Sequence, residues 1–207
     1  MRVLLAIALF LIFQISHATT CANITKLKEI RLHPGVNSVK DFDVYGRNAK
    51  IIVASYPGDT AYQGYDLFLV YFDEKTDQGA STKIVETRGG SASGTTVRGF
   101  PFDGEATTRS VRFARGSCDG EPGQVFMLIG TRKFKEGGHY EPLRVDLEVY
   151  ELMPGRETDS YLHEDWFELV SQSTSKEKFG SADAALQQQF HLPPLPSEAP
   201  PIQPKND

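Results

Sequence analysis

Apolar and polar residues alternate with a period of two through much of the middle of the chain, and this is the signature of strands rather than helices. Arg144-Val-Asp-Leu-Glu-Val-Tyr-Glu-Leu152 alternates cleanly, with Val145, Leu147, Val149 and Glu151 on one side. That spacing predicts a strand with one buried and one wet face. Ser110-Val-Arg-Phe-Ala-Arg115 alternates in the same way. Lys50-Ile-Ile-Val-Ala-Ser55 and Asp66-Leu-Phe-Leu-Val-Tyr-Phe72 are unbroken apolar runs rich in β-branched and aromatic residues. They are bounded by Pro57-Gly58-Asp59 and by the polar stretch from Asp73 to Gly79, so they predict strands between turns. Gln124 to Arg132 has the composition of a buried central strand. Residues 73–108, rich in Gly, Ser and Thr, predict loops with short strands.

Helix is expected in one place. Ser181-Ala-Asp-Ala-Ala-Leu-Gln-Gln-Gln-Phe190 starts with a residue that can cap free amides and continues with good helix formers. Ala185, Leu186 and Phe190 can dock one side of it onto a sheet. The chain shows no internal repeat. The expected fold class is mainly β, an antiparallel sheet or sandwich with one short C-terminal helix.

The two ends depart from this pattern. Arg2 precedes an apolar run from Val3 to Phe13, followed by Ser16-His17-Ala18, which is the make-up of a secretory signal cleaved after Ala18. A bilayer-spanning helix takes roughly 20 apolar residues, so the run is too short for an anchor. A lipid attached at Cys21 would want a smaller residue than Thr20 before it. At the other end, residues 191–207 contain six prolines and few large apolar groups, which predicts a disordered Pro-rich tail. Between them, residues 19–190 have the length of a single domain.

Charge and cysteine content narrow the class. Forty per cent of residues are hydrophobic, enough for a core, and the formal net charge is −5, made one more negative by loss of Arg2 with the signal. A well-mixed, mildly acidic chain lacks the basic face that nucleic acid needs. There are two cysteines, Cys21 and Cys118. In an oxidising compartment an even count is most simply one disulfide, the alternative being two unrelated buried thiols. Two cysteines cannot build a four-cysteine zinc site.

Several motifs come close to known chemistry and lack a required residue. Asp41-Phe-Asp43-Val-Tyr45-Gly46 begins like a calcium loop, but Tyr45 cannot supply the third ligand and Ile52 occupies the closing position. A turn held by the aspartates explains it. Gly89-Gly-Ser-Ala-Ser-Gly94-Thr95-Thr96 resembles a phosphate loop with Thr95 in place of the lysine, and Ala92 stands where a nucleophile elbow needs serine. A flexible surface loop is the expectation there. Ser173 and Ser175 each stand three residues before a lysine, Lys176 and Lys178, the spacing of β-lactam-reactive serine enzymes. The companion motifs Ser-Asp-Asn and Lys-Thr-Gly do not occur. The histidines His33, His139, His163 and His191 have no metal-ligand spacing. No catalytic residue, metal or cofactor is expected.

One patch has the make-up of a ligand grip. Tyr56, Tyr62, Gln63 and Tyr65 surround the turn between two strong strands. Tyrosine offers an apolar face and a hydrogen-bonding tip, which suits a small polar ligand; the alternative is that these rings cover a sheet edge.

Gly35-Val36-Asn37-Ser38, Asp41-Phe-Asp43, Ile51-Ile-Val-Ala54 and Tyr62-Gln63-Gly64-Tyr65-Asp66 together resemble the CarF/CarG-type proteins. The likeness continues in Trp166-Phe-Glu-Leu-Val170 and Ser181-Ala-Asp-Ala184 and spreads loosely over residues 30–190. Those are exported proteins of carbapenem-producing bacteria that give intrinsic resistance to the producer's own antibiotic. The resemblance implies a periplasmic protein that protects without destroying the drug, its partner being the carbapenem or a cell-wall transpeptidase. It supplies no binding residues. Two other functions fit the residues: a generic envelope binding or assembly module, and an acyl-enzyme built on Ser173 or Ser175.

Overall fold

The computed structural model describes residues 21, 23–56, 64–76, 79–100, 107–133, 141–155 and 164–194. The expected signal, residues 1–18, lies outside these residues. In chain order the elements are β1 (Ile24–Ile30), β2 (Gly35–Val39), β3 (Ala49–Tyr56), β4 (Tyr65–Thr76), β5 (Gly79–Ile84), β6 (Glu86–Arg88), β7 (Val97–Gly99), β8 (Thr107–Cys118), β9 (Glu121–Lys133), β10 (Asp146–Met153), β11 (Trp166–Thr174) and α1 (Ala182–Phe190). The fold is mainly β with one short helix, as the apolar pattern predicts.

The strands form two sheets. One runs β1-β8-β9-β10-β11-β6, and the other runs β2-β3-β4-β5 with β7 also on β4. All pairings are antiparallel except β6 with β11. The chain switches sheets four times, and two of the links are very short. Residues 31–34 carry it from β1 to β2, and Val85 carries it from β5 to β6. Val85 is buried, and its N–H donates to the Val70 carbonyl.

Apolar side chains fill two layers. Ile51, Val70 and Phe72 of the smaller sheet, with Phe42 of the β2–β3 connection, meet Phe113, Met127, Ile129, Tyr150 and Phe167 of the larger. On the other face of the larger sheet, Phe126, Leu128, Leu147 and Val149 pack against Ala182, Ala185 and Leu186 of α1. Val145, Leu147 and Val149 share the helix-facing side as their spacing requires. The expected wet face of β10 does not exist: Glu148, Tyr150 and Leu152 are buried as well. Alternation reports that two faces differ, and here a second sheet covers the polar one.

Helix α1 starts where the sequence places it. Ser181 Oγ accepts from the Ala184 N–H at 3.0 Å, satisfying one of the open first-turn donors. The helix lies so close to β9 that a Cβ on Gly130 would come within 2.9 Å of the Ala182 carbonyl oxygen. A glycine inside a strand marks such an approach. Arg112 of β8 pins the helix. Its Nε and Nη2 donate to the two Asp183 oxygens at 2.8 and 2.7 Å, and its Nη1 reaches Glu29 at 2.6 Å and the Pro193 carbonyl at 2.8 Å.

Those contacts move one expected boundary. The segment from His191 does not begin as a free tail: His191 ends the helix in a left-handed conformation, Leu192 is buried in the helix-side core, and Pro193 binds Arg112. Leu192 is apolar enough to dock, and the prolines follow it. Residues 195–207 lie outside the described residues. Cys21 and Cys118 form the disulfide, with Cα atoms 5.4 Å apart, tying the start of the domain to the end of β8. Among the described residues no helix is long and apolar enough to cross a membrane.

Candidate functional site

A cavity opens where the two sheets separate. Strand β1 pairs with β8 only as far as Ile30 opposite Phe113, then leaves for the other sheet. From the other direction β7 runs into Phe100, which exchanges both backbone hydrogen bonds with Arg109 of β8 at 2.8 and 3.0 Å. Between these two contacts, Ser110, Val111 and Arg112 form a β8 edge with no paired strand among the described residues. The gap is a cleft of about 880 Å³, inside the ~300–1,000 Å³ span of small-molecule sites. Its apolar lining comes from both sheets: Val53 and Phe68 on one side, Val111 and Phe113 on the other, Ile30 and Leu32 from the crossover.

Tyr56 and Tyr65 are part of the lining of this cleft. They are opposite each other in the β3–β4 register, and their rings stack with centroids 5.0 Å apart. The Arg98 guanidinium lies 5.5 Å from the Tyr65 ring centroid. Tyr56 keeps 47% of its surface open to solvent, so the pair borders the cleft instead of closing the core. The structure brings together two of the four residues singled out for ligand binding. Tyr62 and Gln63 lie outside the described residues.

Three arginines line the cleft, Arg109, Arg112 and Arg132, together with Glu29, Asp66 and Asp183. Arg112 is neutralised by Glu29 and Asp183. Arg132 is fully buried and donates to the Glu141 carbonyl at 2.7 Å. Asp66 accepts from Ser55 Oγ at 2.6 Å. Arg109 is half-buried and meets neutral acceptors, Thr131 Oγ1 and the Ser91 carbonyl, each at 3.3 Å. Neither period nor propensity singles these arginines out. A usable signal was present, since Arg109 and Arg112 fall on opposite faces of one strand and both cannot face water if that strand is central.

The other motifs become parts of the scaffold. Asp43 accepts from the backbone N–H groups of Tyr45 and Arg47 at 3.1 and 2.8 Å, the aspartate-held turn expected of that segment. Arg47 then bridges Asp43 to Asp165, whose side chain has no exposed surface, at 2.7 Å, and joins the two sheets. Burial pushes the Asp165 carboxyl up, but hydrogen bonds from Arg47 and the Gly155 N–H, with the charges of Arg47 and Lys83, outweigh it and hold the group below its ordinary value. Arg47 is likewise burdened by burial, and its bonds to Asp165 and Asp43 raise it.

The Gly89–Gly94 stretch is not a flexible loop. The Ser91 hydroxyl and N–H both bond Glu148, and the Ala92 N–H bonds the Tyr150 hydroxyl at 3.2 Å. A buried carboxylate on β10 needs donors, and the loop supplies them. Burial first, then the Glu148 charge, pushes the Tyr150 phenol up to about 12. Ser175 is buried; its Oγ donates to the Glu177 carbonyl at 2.7 Å and accepts from the Val145 N–H at 2.9 Å. Ser173 sits exposed on β11, opposite Leu147. Among the described residues, the group with three ligand-type atoms in mutual reach is Cys21, Cys118 and Asp119, and its sulfurs are joined in the disulfide. Glu151 is buried next to that sulfur bridge, its carboxyl pushed up by burial and then by Asp119.

No protein-family model and no curated protein matches the chain. Its fold is shared with a solved structure, the crystal structure of CarG, at a TM-score of 0.55 and 16% sequence identity, over 78% of this chain and 95% of that one. At that identity the likeness is one of fold.

Proposed function

We propose that this chain is a periplasmic, non-hydrolytic resistance protein that protects a carbapenem-producing bacterium by binding the drug. The observation that carries this reading is the cleft at the sheet crossover, bordered by the stacked Tyr56 and Tyr65, in a chain that shares the fold of CarG. A compact, partly apolar ligand fits a cleft of this size and lining. The residue resemblance to CarF/CarG-type proteins points the same way, and the buried, doubly bonded Ser175 hydroxyl argues against acyl-enzyme chemistry at that serine.

Expression of the full chain in a carbapenem-sensitive host tests this reading. Protection should require residues 1–18, and purified protein should bind the drug and release it chemically intact. Drug loss, or an adduct in the intact protein mass, would replace binding with catalysis. Equal susceptibility with and without the protein would end the resistance reading.

A second reading, an envelope module that docks a protein, is favoured by the β2–β3 hairpin. Val44 and Tyr45 at its tip expose 49% and 69% of their surfaces, and Val36 on the edge strand β2 exposes 54%. Such an edge can accept a further strand. Recovery of a transpeptidase on the protein from envelope extracts, lost in Tyr45→Ser, would support target shielding over drug binding.

A further inference from the structure

We propose that Arg109 is the anion anchor of the cleft, so that the ligand it takes is a small molecule carrying one carboxylate on a compact apolar ring. This rests on the reading of the cleft as a ligand site and names the ligand class for it.

The first support is the contrast between two arginines on one strand. Arg112 has two carboxylates and a carbonyl at 2.6–2.8 Å. Arg109, three residues away on the opposite face of the same strand and also lining the cleft, has two neutral oxygens at 3.3 Å and no carboxylate partner among the described residues. A guanidinium carries five N–H donors, and these two long contacts use two of them. A partly buried cation with no counter-charge among the described residues gains when an anion arrives, and a planar carboxylate matches the guanidinium fork.

The second support is the unpaired edge beside it. Arg109 directs its N–H and carbonyl towards Phe100. Backbone direction repeats every second residue, so Val111 presents its N–H and carbonyl on the same side. There the crossover has removed β1, and on that side no strand of the described residues pairs with Val111, which meets Ile129 of β9 on its other side. A ligand carbonyl can take that N–H while its acid meets Arg109. The side chains of Phe68, Val111 and Leu32 offer an apolar bed for the ring.

Charge count limits the class further. Glu29, Asp66 and Asp183 also line the cleft. With Arg109, Arg112 and Arg132 they bring the charge of the described lining close to zero, so no surplus of positive charge awaits a ligand of several negative charges, such as a phosphate ester, while one carboxylate is matched by the Arg109 guanidinium.

The test compares a carbapenem with its carboxyl methyl ester by calorimetry on the purified, exported protein and on Arg109→Gln and Arg109→Lys. The acid should bind the wild type at least tenfold more tightly than the ester. Arg109→Gln should lose that advantage, leaving acid and ester alike, and Arg109→Lys should recover part of it. The acid–ester comparison on the wild type stands whether or not a variant folds. Equal binding of acid and ester to the wild type, or full acid affinity in a folded Arg109→Gln, overturns the anchor while leaving the cleft as a binding site. Absence of binding by either compound overturns the anchor and drug binding together.

Discussion

Replacing Arg47 by alanine removes the cation that joins the β2–β3 hairpin to the residue before β11. Asp165, whose side chain has no exposed surface, would lose two hydrogen bonds, at 2.7 and 3.1 Å. Asp43, whose side chain is 2% exposed, would lose its contact with the guanidinium. Breaking a buried ion pair from one side costs about 3–5 kcal/mol, mostly for the charge left behind. Lys83 stays 3.5 Å from Asp165, and the Gly155 N–H still donates to it, so the lower end, about 3 kcal/mol, is expected. In a domain of this size that lowers Tm by about 6–12 °C. The chain has one tryptophan, Trp166, adjacent to Asp165, so urea unfolding can be followed by its fluorescence. The pH dependence carries the sign. The folded Asp165 carboxyl is held below its ordinary value by Arg47, so its contribution is present above the unfolded value near ~3.9 and is lost as pH falls through the folded one. The gap between wild type and Arg47→Ala should therefore be full at neutral pH and close on acidification below about pH 4. A variant within 0.5 kcal/mol of wild type at pH 7, or a gap that ignores pH, would refute this account of the bridge.

Further substitutions probe the other buried groups. The Tyr150 phenol, raised to about 12, holds its proton between pH 10 and 12 while the unfolded chain loses it, so wild-type stability should fall there by up to about 2–3 kcal/mol. Tyr150→Phe should be less stable at neutral pH by about 1–3 kcal/mol, with the difference narrowing in an alkaline denaturation series. Gly90→Ala places a Cβ against the Tyr150 hydroxyl at a φ of +59°, and a loss of stability beyond the roughly 1–2 kcal/mol of left-handed strain is expected, read by calorimetry. Serine at both Cys21 and Cys118 should cost about 2–4 kcal/mol, and reductant should produce the same loss in the wild type. A wild-type melt unchanged by reductant would show the bridge to be without effect on stability.

The local pattern determined the mainly β class, the central strands, the capped helix and the pairing of two cysteines. Each depends on contacts within a few residues or on a simple count, as when Ser181 meets the N–H three positions on. The β10 alternation was legible, but what covers its second face was not, because Phe72 arrives from another sheet and Phe42 from that sheet's β2–β3 connection. Tyr56 and Tyr65 stood out as side chains suited to a ligand, whereas their stacking follows from the β3–β4 register. The cleft itself, the saturated Arg112 and the underused Arg109 came only from the tertiary structure. Arg112 finds its acid 71 positions away, Arg47 finds Asp165 118 positions away, and the open edge at Val111 exists because β1 leaves its sheet at Ile30. Period and propensity act between neighbours along the chain, while sheet crossovers and charge pairing bring together residues that share no local signal.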